Sequence, residues 1–371
     1  MKEAFTITTI IIFLALILGV MYNTMAPYLV KLGVIEQKNK IVLVERDGGV
    51  FRSQDSAYTF SRIADNGGVD TAKEEVIDIQ FDPRAPHTLI MGTNKGLYRS
   101  DDKGDQWRQT SYKSFLSAGD SLRFFAIDPE NSERFYAAID SKGIGRILKS
   151  RGAEFYEVYS AAGSGDQILG IWVDSYDPST VFAGTKKGIF LESRDFGESW
   201  RIKKDFEEPV RKLLMFPSDT RNIFAAVGDA RIFKTKNQGA VWQDVSSALR
   251  LPKEGVIIQD LALDRKNEDH VYVLTNKGLL ASENGGASFF DVPLVSSPDG
   301  SFVSAIALDP EDSKKLYLGI GPQIHKSIDG GKSWQVKTLP TKRHIQVLKI
   351  LPDDGKTIFV GMGAAAQIIK K

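Results

Sequence analysis

After residue 40, short apolar runs alternate with turn residues in a pattern that returns about every 45 residues. The first run of each unit ends at an Asp-Pro-like turn, as in IDIQFDP (77–83), and the second ends in a small residue, as in TLIMG (88–92). A third run follows, as in GLYRS (96–100), and an aromatic residue opens a fourth. Four β-rich runs separated by turn residues predict one antiparallel four-stranded sheet per repeat.

The third and fourth runs are joined by the string Ser/Thr-x-Asp/Asn-x-Gly-x-x-Trp/Phe, here called the box. Clear copies are SDDKGDQW (100–107), SRDFGESW (193–200), TKNQGAVW (235–242), SENGGASF (282–289) and SIDGGKSW (327–334). Two copies are worn: SQDSAYTF (53–60) has Ala57 where the glycine is expected, and 150–155 keeps only its terminal serine and aromatic residue.

The box residues suit a tight turn that is tied to a blade. Asp or Asn can accept hydrogen bonds from nearby amides, glycine tolerates a positive φ, and the aromatic ring can pack inward. A structural role, rather than a calcium-binding or catalytic one, is therefore predicted for Ser100, Asp102, Gly104, Trp107, Ser193, Asp195, Gly197, Trp200, Asn237, Gly239, Trp242, Asn284, Gly286, Phe289, Ser327, Asp329, Gly331 and Trp334.

One such sheet leaves two apolar faces exposed, and stacking the copies radially around an axis buries both of them. The pattern thus predicts an all-β fold, a β-propeller over residues 41–371. Six units are complete, whereas 41–63 aligns with strands two to four and 345–371 with strands one to three. One shared blade gives seven blades and two separate ones give eight. Seven is favoured, because closure by both chain ends removes free edges.

The first 22 residues predict a transmembrane anchor. Residues 4–30 contain no charged side chain, and 5–22 are apolar apart from threonines and a glycine. A bilayer core of roughly 30 Å needs about 20 such residues in a helix. The alternative is a cleaved signal peptide, but no A-x-A-like cleavage site follows. Residues 23–40 would form a juxtamembrane linker, and the propeller is expected on the extracytoplasmic side of the cell membrane.

Composition narrows the function classes. Lys and Arg total 48 against 47 for Asp and Glu, so there is no electrostatic footprint for nucleic acid. Cysteine is absent, which excludes disulfides, thiolate metal sites and a cysteine nucleophile, and agrees with the extracytoplasmic assignment. The four histidines have no metal-ligand spacing. Neither a metal nor a cofactor is expected.

These boxes and their context resemble the Asp-box (BNR) propeller superfamily over nearly everything after residue 40. Within it, the chain is most similar to the photosystem II assembly-factor type and to sortilin-like repeat proteins. That resemblance implies a membrane-tethered propeller that helps a membrane complex to form. The superfamily also contains sialidases and xyloglucan-degrading enzymes, so the fold alone does not decide the function.

A funnel is predicted on the face opposite the boxes, where the inner strands begin. Its candidate lining residues are Asp78, Arg123, Arg211, Lys212, Asp260, Arg343 and Gln346, with Glu74, Asp120, Asp166 and Glu208 just ahead of them. These side chains would either bind a partner or form a solvated polar lining with internal ion pairs.

A sialidase needs three converging arginines, which Arg123, Arg211 and Arg343 could supply, but the Phe-Arg-Ile-Pro signature is missing and no tyrosine nucleophile can be assigned. The string GDSL (119–122) falls in a link to an inner strand and lacks the downstream Asp-x-x-His of esterases. The favoured hypothesis is a non-catalytic scaffold or assembly factor with a membrane-associated protein client. The alternative is a glycan-active or glycan-binding propeller.

Overall fold

The computed structural model describes residues 34–37, 40–43, 47–63, 71–110, 115–250, 255–295 and 303–364. The chain divides into two compact units, Met1–Asp47 and Gly48–Lys371. In the first unit, β1 (Val34–Gln37) pairs with β2 (Lys40–Leu43) as an antiparallel hairpin. Among the described residues, no helix has both the length and the apolarity to cross a bilayer. The predicted anchor lies outside the described residues and stays a prediction.

The second unit contains seven four-stranded antiparallel sheets. Its first two strands are β3 (Val50–Ser53) and β4 (Ser61–Ile63). Blades 1 to 3 follow, and their strands are β5 (Val76–Asp82), β6 (Ala85–Thr93), β7 (Gly96–Ser100), β8 (Arg108–Gln109); β9 (Asp120–Ile127), β10 (Phe135–Ser141), β11 (Ile144–Arg151), β12 (Glu154–Ser160); and β13 (Ile168–Val173), β14 (Val181–Thr185), β15 (Ile189–Ser193), β16 (Arg201–Asp205).

Blades 4 to 6 repeat the same order. Their strands are β17 (Val210–Met215), β18 (Ile223–Val227), β19 (Arg231–Thr235), β20 (Gln243–Asp244); β21 (Ile258–Asp264), β22 (Asn267–Thr275), β23 (Gly278–Ser282), β24 (Phe290–Val292); and β25 (Val303–Leu308), β26 (Leu316–Ile320), β27 (Gln323–Ser327), β28 (Gln335–Thr338). Two short 3-10 helices, Thr71–Lys73 and Ser246–Leu249, lie in the connections.

Blade 7 closes the ring with strands from both ends of the propeller. Its order is β29 (Ile345–Ile350), β30 (Ile358–Met362), β3 and β4, and β3 pairs antiparallel with β30. The first strand of each blade contacts the first strands of both neighbouring blades, and β29 contacts β5. The prediction of seven blades with shared closure is therefore confirmed.

The contributions to blade 7 differ from those expected. Each end supplies two strands, and the second strand of the blade is β30, whereas Ile41 was expected in that position. Ile41 lies instead in the β1–β2 hairpin, paired with Glu36. The unit that contains the blades accordingly begins at Gly48, seven residues beyond the predicted start at 41 (48 − 41 = 7). A short apolar run shows that a strand forms but does not identify its partner.

The core consists of seven clusters of buried side chains, one in each wedge between neighbouring blades. The second strands β14, β18, β26 and β30 are buried at every position, because each sheet is covered on both faces. This explains why they appear in the sequence as unbroken apolar runs such as IFAAV (223–227) rather than as alternating patterns.

The clear boxes form one recurring turn, hereafter the box turn, which blade 3 illustrates. The Ser193 hydroxyl donates to Asp195 Oδ1 (2.7 Å) and accepts from the Gly197 amide (2.8 Å). Gly197 has φ +80° and lies against the ring of Tyr136 in blade 2, leaving no room for a Cβ. Trp200 immediately precedes the outer strand β16, as predicted for the box aromatic residue. Each box turn thus fastens its blade to the preceding one.

The two worn copies have different structures. Residues 53–60 form a complete box turn in which Ala57, at φ +69°, takes the place of the glycine and its amide donates to Ser53 Oγ (2.8 Å). Blade 2 has no box turn: Ser150 accepts from the Phe135 amide (2.8 Å), and β11 leads into β12 through Gly152. Ala57 shows that glycine at the fifth position of the box is favourable for the box turn but not obligatory.

Candidate functional site

Every first strand contains a β-bulge near its beginning, so one residue there is skipped in the pairing with the second strand. A bulge changes the direction of the side chains beside it. The predicted funnel residues fall into two groups around this bulge. The skipped positions include Arg123, Arg211 and Gln346, and the positions that follow the bulge include Asp78, Lys212 and Asp260.

The residues that follow the bulge form an ion-pair network. Lys212 Nζ lies 2.7 Å from Asp260 Oδ1, and Lys349 Nζ lies 3.0 Å from Asp78 Oδ1. Burial lowers the pKa of Lys212, but the carboxylates of Asp260 and Asp78 together raise it above the ordinary value for lysine. Gln80 Nε2 also donates to Asp78 Oδ2 (3.1 Å). Two cations therefore compensate two anions within the ring.

Lys349 was missed by the sequence reasoning. It lies three residues after the skipped Gln346 on β29, and two after Val347, which occupies the position that follows the bulge. Alternate residues of a strand point to the same face. This alternation was the signal that could have found Lys349, as well as Gln80 on β5.

The arginines at the skipped positions are more exposed to solvent than the residues that follow the bulge. Arg123 is 56% exposed, and its ion pair with Asp140 Oδ2 spans 3.9 Å. The same carboxylate oxygen accepts from Gln167 Nε2 (2.5 Å), so Asp140 is shared. Arg211 is held more firmly, since its Nε donates to the Gly228 carbonyl (2.8 Å) and its Nη2 to Asp229 Oδ1 (2.8 Å).

Arg343 is not part of an open funnel. Its side chain is 3% exposed, and Nη1 donates to the backbone carbonyls of Glu74 (3.1 Å) and Gly363 (3.4 Å). The guanidinium also lies so close to Gly48 that a Cβ there would collide with it. It therefore joins the start, the end and the blade 1 connection of the propeller. Gln346 is half-buried beside Gly363.

The acidic residues ahead of the inner strands bind local partners: backbone amides in two cases and side chains in the other two. Glu74 is buried and accepts from the Tyr98 hydroxyl (2.9 Å), and Asp166 is buried and accepts from the amides of Gln167 and Lys187 (2.8 and 2.9 Å). The remaining two have exposed or half-exposed partners: Asp120 accepts from the Ser117 amide, and Glu208 pairs with Arg231. Within the described ranges, no group of three or more His, Cys, Asp or Glu residues could hold a metal ion.

An aromatic pair lies on the first strands of blades 2 and 3. The rings of Phe124 and Trp172 have centroids 6.4 Å apart at 48°, and Trp172 lies over Gly170 so closely that a Cβ would not fit. Sequence reasoning missed both rings because they lie within apolar strand-forming runs, where an aromatic residue does not stand out. The inner strands thus combine a charge-compensated network with an aromatic pair.

The chain was compared with known proteins. No family model matches it. Sortilin from Danio rerio is 22% identical over 183 residues, a segment that covers 46% of this chain and 20% of the sortilin. The chain therefore spans only about a fifth of that relative.

Solved structures share the fold. The GH74 xyloglucanase from Xanthomonas campestris superimposes with a TM-score of 0.64 at 19% identity, over 78% of this chain and 51% of the enzyme. YCF48 from Cyanidioschyzon merolae gives 0.60 at 12% identity, over 78% of this chain and 96% of that one, and YCF48 bound to a D1 peptide gives 0.58 at 12%, over 78% and 94%. Identities this low show the fold alone: this chain contains a seven-bladed β-propeller. It spans about half of the xyloglucanase (51%).

Proposed function

We propose that this chain is a non-catalytic Asp-box propeller that binds a protein client and acts as a scaffold or assembly factor for a membrane or envelope complex. The observation that carries the proposal is the contrast between the compensated network and Arg123. Lys212, Asp260, Asp78 and Lys349 neutralise one another, whereas Arg123 is exposed and, among the described residues, its one ion pair is a long contact to a shared carboxylate.

This arrangement favours docking over proton transfer. Asp78 and Asp260 are both occupied by lysine partners, so neither is poised as a free acid or base. An exposed cation such as Arg123 can steer and orient an acidic segment of a client. The likeness to YCF48 bound to a D1 peptide supports the proposal, since that propeller holds a peptide on the same fold.

The test replaces both exposed arginines of the skipped positions by alanine, Arg123→Ala with Arg211→Ala. The matched control is Arg84→Ala with Arg108→Ala, which removes the same charge from exposed positions elsewhere on the propeller. The expected result is weaker capture of a client from cross-linked membranes by the first pair, by about 1 kcal/mol for each solvent-exposed contact. Quantitative mass spectrometry measures the amount of client that each variant captures. Equal capture by both double variants contradicts the proposal.

We infer further that the uncharged segment 5–22 holds the protein on the membrane, with the propeller outside the cytoplasm. The expected outcome is that native protein stays with membranes after high-salt and carbonate washing and keeps its original N-terminus. Recovery of soluble protein beginning near residues 23–27 would show a cleaved signal instead.

A glycan-binding or glycan-active propeller is the second candidate, and the observation in its favour is the Phe124–Trp172 pair, which is partly exposed on the inner strands and so offers aromatic surface for a sugar ring. Turnover of a fluorogenic sialoside or of xyloglucan by the wild type, lost in Trp172→Ala, would support it over the scaffold. The sialidase version has less support, since the Arg343 guanidinium is buried against backbone carbonyls.

A further inference from the structure

Two neighbouring box turns differ from the rest in charge. The boxes of blades 4 and 5 contain Asn237 and Asn284, whereas the corresponding residues of the other box turns are Asp55, Asp102, Asp195 and Asp329. The asparagines keep the turn: Asn237 Oδ1 accepts from Thr235 Oγ1 and from the Val241 amide, both at 2.8 Å. Asparagine in place of aspartate at these two positions therefore removes negative charge from the neighbouring box turns of blades 4 and 5 and keeps the backbone of the turn.

Between these two box turns lies a cleft of about 430 Å³, hereafter the blade 4–5 cleft. Its lining includes Lys234, Lys236, Asn237 and Val241 from blade 4 and Asn284 and Gly285 from blade 5. The residues that line it include two lysines and no carboxylate. The lining itself thus carries a net positive charge, while Asp219, Glu268 and Asp269 line an adjoining cleft that shares Lys234 and Lys236.

Lys234 is half-buried at one side of the cleft. Its Nζ donates to the Gly285 carbonyl (2.6 Å) and lies 5.2 Å from the centre of the Phe224 ring. Burial and the positive charge of Lys236 lower its pKa, while Asp269 and Glu268, which line the adjoining cleft, oppose that shift. An anion in the cleft would stabilise the ammonium ion and raise this pKa.

Asn237 supplies a polar donor to the same cleft. In blades 3 and 6, the outer carboxylate oxygen of the box accepts from the hydroxyl of Ser199 or Ser333, and in blade 5 Asn284 Nδ2 donates to Ser288 Oγ (2.8 Å). The corresponding residue in blade 4 is Val241. Within the described part of the chain, Asn237 Nδ2 therefore makes no hydrogen bond, and Val241 is 67% exposed beside it.

We propose that the blade 4–5 cleft binds an acidic segment of a partner protein, with a carboxylate at Lys234, Lys236 and Asn237 Nδ2 and a neighbouring apolar side chain on Val241. The proposal rests on the protein-binding function proposed above and adds a second contact surface at the box turns, where the chain lacks the box carboxylates. Charge complementarity with an apolar contact selects such a segment over a simple inorganic anion.

The test uses the full chain in detergent and a fluorescein-labelled peptide of alternating glutamate and leucine, with anisotropy as the measurement. The decisive variant is Asn237→Asp, which restores the residue that four other box turns contain and should fold normally. It should weaken binding about tenfold by like-charge repulsion. Lys234→Met, which keeps the contact with Phe224, should weaken it by a similar factor.

The matched control is Gln106→Glu, which adds one negative charge to the exposed box turn of blade 1 and should leave the affinity unchanged. Equal affinity of the wild type and Asn237→Asp, or no peptide binding by the wild type, overturns the proposal. Binding of inorganic phosphate alone, lost in Lys234→Met, overturns it too and indicates a small-anion site. If Asn237→Asp leaves client capture intact while Arg123→Ala with Arg211→Ala abolishes it, the cleft proposal fails and the proposed function stands. If instead Asn237→Asp abolishes client capture and Arg123→Ala with Arg211→Ala leaves it intact, the cleft proposal stands and the arginines of the inner strands are not the docking surface.

Discussion

Blades 2 and 3 are neighbours that hold their outer strands in different ways. In blade 2 the seven residues of β12 follow β11 through a turn at Gly152, and six residue pairs connect the two strands. In blade 3 only four pairs connect β15 with the five residues of β16, and a box turn joins them. An outer strand can thus be held by a long ladder with an exposed ion pair, or by a short ladder with a box turn and a buried carboxylate.

In blade 3, further side-chain bonds between the two strands converge on Glu192, a completely buried carboxylate near the end of β15. It accepts from Arg194 (2.8 Å), Arg201 and Lys203, the last two of which lie on β16. Burial alone would raise its pKa, but Lys203 and Arg201 lower it below the ordinary range. Blade 2 has a different carboxylate at this interface: Glu157 on β12 is 42% exposed and pairs with Arg146 at 3.3 Å.

The largest expected effect is that of Glu192→Ala, which should lower the free energy of unfolding by about 3 kcal/mol because it removes a completely buried carboxylate and leaves the nearly buried Lys203 ammonium ion without its anion. The matched change Glu157→Ala in blade 2 should cost less than about 1 kcal/mol, since that pair is exposed. Denaturant unfolding of both variants measures the difference. Equal losses would mean that blade 3 does not depend on the buried carboxylate.

Acid titration sharpens the same comparison. A lowered pKa in the folded state means that Glu192 contributes stability at pH values above the ordinary glutamate pKa, and that this contribution is lost as the pH falls through the lowered value. The wild type should therefore lose stability more steeply in acid than Glu192→Ala does. Parallel acid limbs for the two proteins would contradict the assignment.

Glycine substitutions in the two turns should have intermediate effects. Gly197→Ala places a Cβ against the Tyr136 ring at φ +80° and should cost about 2 kcal/mol, while Gly152→Ala, at φ +59° in open space, should cost about 1 kcal/mol. Thermal unfolding distinguishes them. The native Ala57 shows that the box turn tolerates a methyl group in another blade. If Gly197→Ala lowers the free energy of unfolding no more than Gly152→Ala does, the constraint at Gly197 is its positive φ and not the contact with Tyr136.

The smallest expected effect is that of Asp195→Asn, at most about 0.5 kcal/mol. Desolvation raises the pKa of Asp195, but hydrogen bonds from Ser199 and Ser193 lower it to about 2. The group is exposed, so solvent screens most of that interaction. Asn237 already occupies the same position in blade 4 with the turn intact. A large loss in denaturant unfolding would show that the carboxylate charge itself holds blade 3.

The repeat made the blades predictable, because each box marks where a third strand ends and a fourth begins. Partners distant in sequence were not predictable in the same way. The run that contains Ile41 has the composition of a blade strand but pairs with a neighbouring strand in a local hairpin. The sequence around Arg343 is typical of a surface arginine, but in the folded protein Gly48 and the Glu74 carbonyl enclose its guanidinium group. For the ion-pair network of the inner strands, the sequence correctly indicated the strands on which Asp260 and Lys212 lie. Their mutual bond depends on bulges that no single repeat reveals.

Blade 7 has a consequence for the order in which the protein is made. β3 is synthesised before six complete blades, yet its neighbour β30 emerges from the ribosome only after all of them. Until then the nascent ring has an unpaired strand edge at each end, which is a template for aggregation and a substrate for proteases. A prematurely terminated product that lacks Ile358–Met362 would keep both edges open, so it would stay prone to aggregation although six of its blades are complete.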